Sequence, residues 1–233
     1  MIKYLIFLLS ISTTLSAQIM LPAYQGIQYT SPSSDAAGSV FCASGATTVV
    51  AVINSSTGKT WMDRNLGASQ VATNSTDADS YGDLYQWGRG SDGHQCRTSV
   101  TTATLSSTDV PGNANFILAS SDWRSPQNTS LWQGVNNPCP SGYRLPTETE
   151  MDAERKSWIS NSSAGAFASP LKLPMAGFRG GSNGSLGNVG SDGGYWSSTF
   201  NGTLSRRLYF SSSTAGMRSS LRAFGYSVRC IKN

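Results

Sequence analysis

Two carboxylates one residue apart, Glu148 and Glu150, are the first residues in this sequence that could do acid–base chemistry. They follow Pro146-Thr147, however, and Thr147 with Glu150 three residues on has the form of a capping box, in which each side chain satisfies the other's backbone N–H. First-turn carboxylates also suit the positive end of a helix dipole, so the pair reads as a helix start. Asp77, Asp79 and Asp83 put three acids on one short loop, a hint of calcium. A calcium loop closes with a bidentate Glu, and Gly88 stands there, so turn and cap is the preferred reading. The lone imidazole, His94, lies in the polar run GSDGHQC and reads as a surface histidine. With one His and no CxxC, a zinc site of the usual ligand type is not expected. Neither a metal, a cofactor nor a catalytic residue is expected.

The chemistry that the chain does offer is that of contact. Tyr195 to Cys230 contains no Asp or Glu and carries Arg206, Arg207, Arg218, Arg222 and Arg229. Aromatics interrupt it at Tyr195, Trp196, Phe200, Tyr209, Phe210, Phe224 and Tyr226, with serines between. Arg and aromatic anchors with small polar spacers are the composition of a binding surface. A solvent-exposed β-meander kept soluble by serine has the same letters, and on composition alone the two stand level.

The elements that must position this stretch are short. Thr47–Asn54 is a β-branched run and an expected strand. Ser55–Lys59 turns the chain, and Thr60–Leu66 pairs back as a hairpin. Leu84, Tyr85 and Trp87 are candidate core, Thr98–Asn115 a loop, and Trp123 and Trp132 rings that pin a further loop by burial. Thr147 caps one helix of about three turns with Met151, Arg155 and Trp158 on one face. Leu171–Gly177 is a short extended run, and Ser182–Gly194 a Gly-rich turn region without the strand–helix setting of a phosphate loop.

Lys3, the apolar run Tyr4–Ile11 and Leu15-Ser16-Ala17 have the form of an export signal cleaved after Ala17. That gives a leader at 1–17, an extended lead-in at 18–41 and a folded region at 42–233. No transmembrane segment is expected after cleavage. The product belongs outside the cytoplasm of a bacterium, secreted, periplasmic or at the cell surface. Four cysteines in an exported chain imply two disulfides, with pairing left open by spacing. Charged residues are only 13% of the chain, which favours short strands and long ordered loops. Six basic residues and no acid follow Tyr195, an asymmetry that favours an acidic partner, though not nucleic acid in an exported protein.

Six segments in order, TWMDRNLGAS, YGDLYQWGR, NPCPSGYRLPTETE, LKLPMAGFR, GGYWSS and RAFGYSVRC, resemble the signatures of the Fibrobacter succinogenes major paralogous domain, over roughly Cys42 to Lys232. The resemblance implies a C-type-lectin-like fold: α+β, twisted antiparallel sheets, one or two helices, long ordered loops and neighbouring termini. It also implies that Cys139 pairs with Cys230, the ends of the domain's second half; Cys42 and Cys96 are what remains. RLPTETE is similar to the helix start of formylglycine-generating enzymes, whose late pair of active-site cysteines has no counterpart here, Cys230 being alone after Cys139. The calcium-dependent sugar lectins' Glu-Pro-Asn and Gln-Pro-Asp motifs are absent.

The C-terminal stretch also resembles the variable proteins of diversity-generating retroelements, in which scaffold positions stay fixed while the residues between them change. By that resemblance Trp196, Ser197, Ser198, Leu208, Phe210, Arg222, Ala223 and Ser227–Cys230 are scaffold. Phe200, Asn201, Arg206, Tyr209, Arg218, Phe224 and Tyr226 are the expected ligand-binding set, and Phe200, Arg206, Tyr209, Arg218 and Phe224, as its Arg and aromatic anchors, are expected to share an exposed face. The function expected is a non-enzymatic, exported binding or adhesion protein whose partner is a surface protein or a glycan. The rivals are a structural cell-envelope protein and an enzyme related to the formylglycine generators.

Overall fold

A β-branched run ending in Asn54 forms a strand over its last four residues. The computed structural model describes residues 40–133 and 136–233; the leader expected at 1–17 and nearly all of the lead-in at 18–41 lie outside them. β1 (Ala51–Asn54) pairs antiparallel with β2 (Lys59–Met62), Ala51 opposite Met62. Lys59 already belongs to β2, because Asn54 bends the chain itself. Its Oδ1 accepts from the Ser56 N–H at 2.9 Å, and Gly58 takes φ +67°, which glycine adopts without steric penalty.

There follow β3 (Tyr85–Gln86), β4 (Thr101–Thr102), β5 (Phe116–Ile117), β6 (Tyr143–Arg144), α1 (Glu148–Lys156), α2 (Ser163–Ala168), β7 (Phe178–Arg179) and β8 (Leu186–Gly187). The chain ends with β9 (Gly193–Asn201), β10 (Leu204–Phe210), β11 (Ala215–Ser220), β12 (Gly225–Tyr226) and β13 (Ile231–Lys232). Three antiparallel sheets run β1-β2-β13-β6, β11-β10-β9 and β3-β12-β7-β8, and β4 pairs with β5 in parallel. The class is α+β, mostly antiparallel, with two helices. Among the described residues no helix is long and apolar enough to cross a membrane.

Three local expectations are corrected. Thr98–Asn115 is not all loop, since it supplies β4. Leu171–Gly177 joins no sheet; Leu171, Leu173 and Ala176 are buried instead. The inward face of α1 is Met151 and Glu154, with Trp158 just beyond, while Arg155 turns aside to Asp152 at 2.9 Å. Glu154 tolerates burial because Asn54 Nδ2 donates to it at 2.6 Å and Trp158 Nε1 at 3.1 Å. The start of α1 follows the sequence: Thr147 Oγ1 accepts from the Glu150 N–H at 3.2 Å, and Glu150 accepts from the Thr147 N–H at 2.8 Å. Small residues in SAGAFA form α2, which no sequence signal had marked.

The sheet β11-β10-β9 divides the core. Tyr195, Leu208, Phe210 and Ala215 pack on Trp61, Met151, Trp158 and Ile231. Trp196 packs in a second cluster with Trp87, Trp132, Tyr226 and Val228. Disulfides join Cys139 to Cys230 and Cys42 to Cys96. On the chain-entropy estimate, closing loops of 91 and 54 residues stabilises by about 4–5 kcal/mol each.

Trp196 is fully buried, donates from Nε1 to the Tyr85 carbonyl at 2.7 Å and meets the Tyr226 ring edge-on at 4.8 Å. Trp196→Ala should therefore lose about 3–5 kcal/mol, the range for large-to-small aromatic changes in a core. Urea unfolding checks this; an unchanged midpoint would remove Trp196 from the scaffold.

Candidate functional site

Side chains on a strand alternate between faces, and β10 follows that rule. Leu208 and Phe210 point into the core, so Arg207 and Tyr209 point away from it. On β11, Arg218 stands opposite Arg207, and Gly216 opposite Tyr209. On β9, Trp196 stands opposite Arg207, and Gly194 opposite Tyr209. Tyr209 thus has glycine directly opposite it on both neighbouring strands, which leaves room for the arginines to lie against its ring. The Arg218 guanidinium lies 3.7 Å from its ring centre and the Arg207 guanidinium 5.2 Å away.

Beneath Arg207 lies the Tyr226 ring, 4.4 Å from the guanidinium carbon. Gly194 is obligatory there, because a Cβ would enter that ring. Tyr226 stacks on Phe224 at 6.0 Å and touches Phe178 at 6.2 Å, and its hydroxyl is hydrogen-bonded to Ser220 at 3.1 Å. The result is a sheet face of Arg207, Tyr209, Arg218 and Ser220, bordered by half-buried Phe178 and Phe224.

The basic residues of the stretch meet different fates. Arg206 lies on the Leu208 side, ion-paired to Glu148 at 2.6 Å and donating to Ser219 Oγ at 2.7 Å. Arg222 is buried against Trp87 and pairs with Asp122 at 3.5 Å. Arg229 is buried and donates to Asn65 and to the carbonyls of Met62 and Leu171. Arg207 and Arg218 alone among these five have neither an ion pair nor a hydrogen-bond acceptor in the described residues. Burial pulls the Arg207 guanidinium below its ordinary value, and the Arg218 charge acts in the same direction.

Of the seven residues expected to bind ligand, Tyr209 and Arg218 come together on this face, with half-buried Phe224 at the border. Tyr226 is corrected: it is 4% exposed, a support beneath the face rather than a contact on it. Arg206 is corrected too, since strand alternation turns it to the opposite side. Phe200 and Asn201 are exposed at the β9–β10 hairpin tip; Phe200 pairs with Ser205, four residues or roughly 13 Å along β10 from Tyr209. Arg207 and Phe178 were missed, whereas Ser220 belongs to the residues that the retroelement resemblance makes variable. The signal for Arg207 was present, because period two places it with Tyr209.

His94 is corrected as well. It is fully buried, its Nε2 accepts from the Gln86 N–H at 3.0 Å, and its Nδ1 lies 2.6 Å from Asp92 Oδ1. Burial pushes its pKa down to about 4, so at neutral pH it is an uncharged link between two loops. Asp77 caps a single 3-10 turn, Ala78–Ser80, accepting from the Asp79 N–H. Among the described residues no group of three His, Cys, Asp or Glu is arranged to hold a metal.

A separate cleft of about 340 Å³ opens beside the Cys42–Cys96 disulfide, lined among others by Ser44, Gly67, Asp79, Asp83 and Arg97. Asp83 is buried, and burial pushes its pKa up to about 7 against the pull of Arg97. The folded state therefore holds a proton that the unfolded chain has released above pH about 4. Stability from this group is full below pH about 4, falls as pH rises toward 7 and is flat beyond. Asp83→Asn should be more stable than the wild type at pH 8, by roughly 2–4 kcal/mol, with the gap closing toward pH 4. Urea unfolding of both proteins across that range tests it, since the titrations of Asp92, His94 and Glu150 cancel in the difference. A gap that does not depend on pH would show that Asp83 titrates normally. Compared with known proteins, the chain matches no family model, no curated protein and no solved structure.

Proposed function

We propose that this chain is an exported, non-enzymatic binding protein with a C-type-lectin-like fold, related to the Fibrobacter succinogenes major paralogous domain, which holds a surface ligand on the face of β9–β11. The observation that carries the reading is the pair of arginines without an ion pair, both lying against a half-buried tyrosine, on a sheet whose other face is core. Tyr209 and Arg218 can be changed or occupied without touching the packing beneath them. The quoted motifs lend support by lying at structural joints. Asn65 links Tyr81, Tyr195 and Arg229, and Thr147 and Glu150 cap α1.

The non-enzymatic reading rests on the fate of the reactive groups. All four cysteines are in disulfides and the sole histidine is buried in a structural link. Diversification by a retroelement is supported by the alternation of buried Leu208 and Phe210 with accessible Tyr209, Arg218 and Ser220. Ser205 and Tyr226, both variable by the resemblance, are buried and stand apart from that pattern. A near-copy of the coding region for Tyr195–Cys230, differing at adenines and lying beside a reverse-transcriptase gene, would establish it.

The binding test uses labelled protein titrated onto bacterial cells and envelope extracts. Saturable binding is expected, and Arg207→Ala/Tyr209→Ala/Arg218→Ala should abolish it. The changes at Tyr209 and Arg218 should each shift unfolding by about 0.5 kcal/mol or less; Arg207, which packs on Tyr226 with its Nε buried, should cost more, so Tyr209→Ala/Arg218→Ala serves as the fold-sparing variant. Saturable binding that survives the triple change places the site elsewhere. Absence of saturable binding favours a purely structural envelope protein.

A further inference from the structure

Arg207 and Arg218 face each other directly across β10 and β11. Like charges in that position repel, which destabilises a strand pair. Here neither guanidinium is in an ion pair among the described residues, Asp192 acting on Arg207 only at a distance, although Arg206, one residue away, has Glu148. Arg207 Nε is also buried with no acceptor within reach. A buried donor without an acceptor loses its hydration and gains nothing from the protein. The Tyr209 and Tyr226 rings offset part of the charge through cation–π contact, but a ring takes no directed N–H···O bond. The repulsion of the pair is thus left without a carboxylate contact among the described residues, and exposed Arg218 is where one can approach from outside.

Building on the binding-face reading, we infer that Arg207 and Arg218 form a carboxylate-receiving site, and that its occupant is an acidic side chain of a protein partner. A carboxylate accepts two parallel bonds from one guanidinium and relieves the repulsion between both. The choice of a protein over a sugar acid follows from shape and border. Small ligands are held in concave sites, whereas this is an open strand face with partly exposed phenylalanines, Phe178 and Phe224, beside the cations. A charged centre beside aromatic rings matches the enrichment of Arg, Tyr and Phe at protein interfaces.

The probes are a fluorescein-labelled peptide containing Glu and Phe, its twin with Gln in place of Glu, and a polyuronate, each titrated against the whole protein by anisotropy at two salt concentrations. The Glu peptide should bind at least about tenfold more tightly than the Gln twin, which is about 1.4 kcal/mol. That preference should vanish in Arg207→Gln/Arg218→Gln, persist in Lys232→Gln and weaken with salt. Arg218→Gln alone serves if the double variant unfolds, because Arg218 is exposed and lies over Tyr209 only. Equal binding of the two peptides overturns the inference, and so does a polyuronate bound in preference to the Glu peptide. Cell capture kept by Arg207→Gln/Arg218→Gln but lost by Tyr209→Ala also overturns the carboxylate site, while leaving the binding face in place.

Discussion

The constraint on which this structure depends is the supply of donors to loop carbonyls. Much of the chain lies outside regular strands and helices, and its backbone acceptors, turned away from water, need partners. Buried guanidiniums provide them. Arg179 donates to the carbonyls of Cys96, Ser99 and Gly184, and Arg89 to those of Asn113 and Asn115. Arg97 reaches Gly82 and Ala176, and Arg222 reaches Gly202 and Asn128. Each planar fork ties together segments far apart in sequence, as a ladder would within a sheet. Rings shelter several of them: Arg179 lies 4.3 Å from the Phe116 ring centre and Arg222 4.6 Å from Trp87.

This explains how a chain with few charges keeps long loops ordered, and also which arginines are free for other work. An arginine whose donors are committed to carbonyls cannot meet a ligand. Arg222 and Arg229 lie in the same basic stretch as Arg207 and Arg218, yet they are internal braces. The positive balance of the last segment therefore overstates the charge that the surface presents. The accessible unpaired part of it on β10 and β11 is one cross-strand pair.

Legibility followed the same division. The capped start of α1 could be read because Thr147, Glu150 and Pro146 are local signals with local causes. The first hairpin and the burial of Trp87, Trp123, Trp132 and Trp196 were legible from residue type. The roles of Gln86, Asp92 and His94 were not, because polar residues in a Gly-rich run look like surface. What buries them is tertiary: Gln86 donates to the Ile117 and Ala223 carbonyls, and Asp92 meets both Arg89 and His94. Within the binding stretch, composition identified the kind of surface but not its membership. Alternation separates Arg206 from Arg207, and only the ladder shows that Tyr226 lies beneath the face.

The face and its support are joined through that tyrosine. Tyr226 touches Trp196 on its inner side and carries Arg207 on its outer side. The Cys139–Cys230 disulfide lies in the same cluster as both rings. Arg207 is therefore positioned by the core, whereas Arg218 is positioned by Tyr209, a residue of the face itself. Changes at Tyr209 and Arg218 leave the packing below untouched, and a change at Tyr226 does not. A rigid cation beside an adaptable one gives the face a fixed point for an incoming acid and latitude around it. That division follows from a sheet with core on one side and, on the other, a second cluster that reaches under Arg207 and stops short of Arg218.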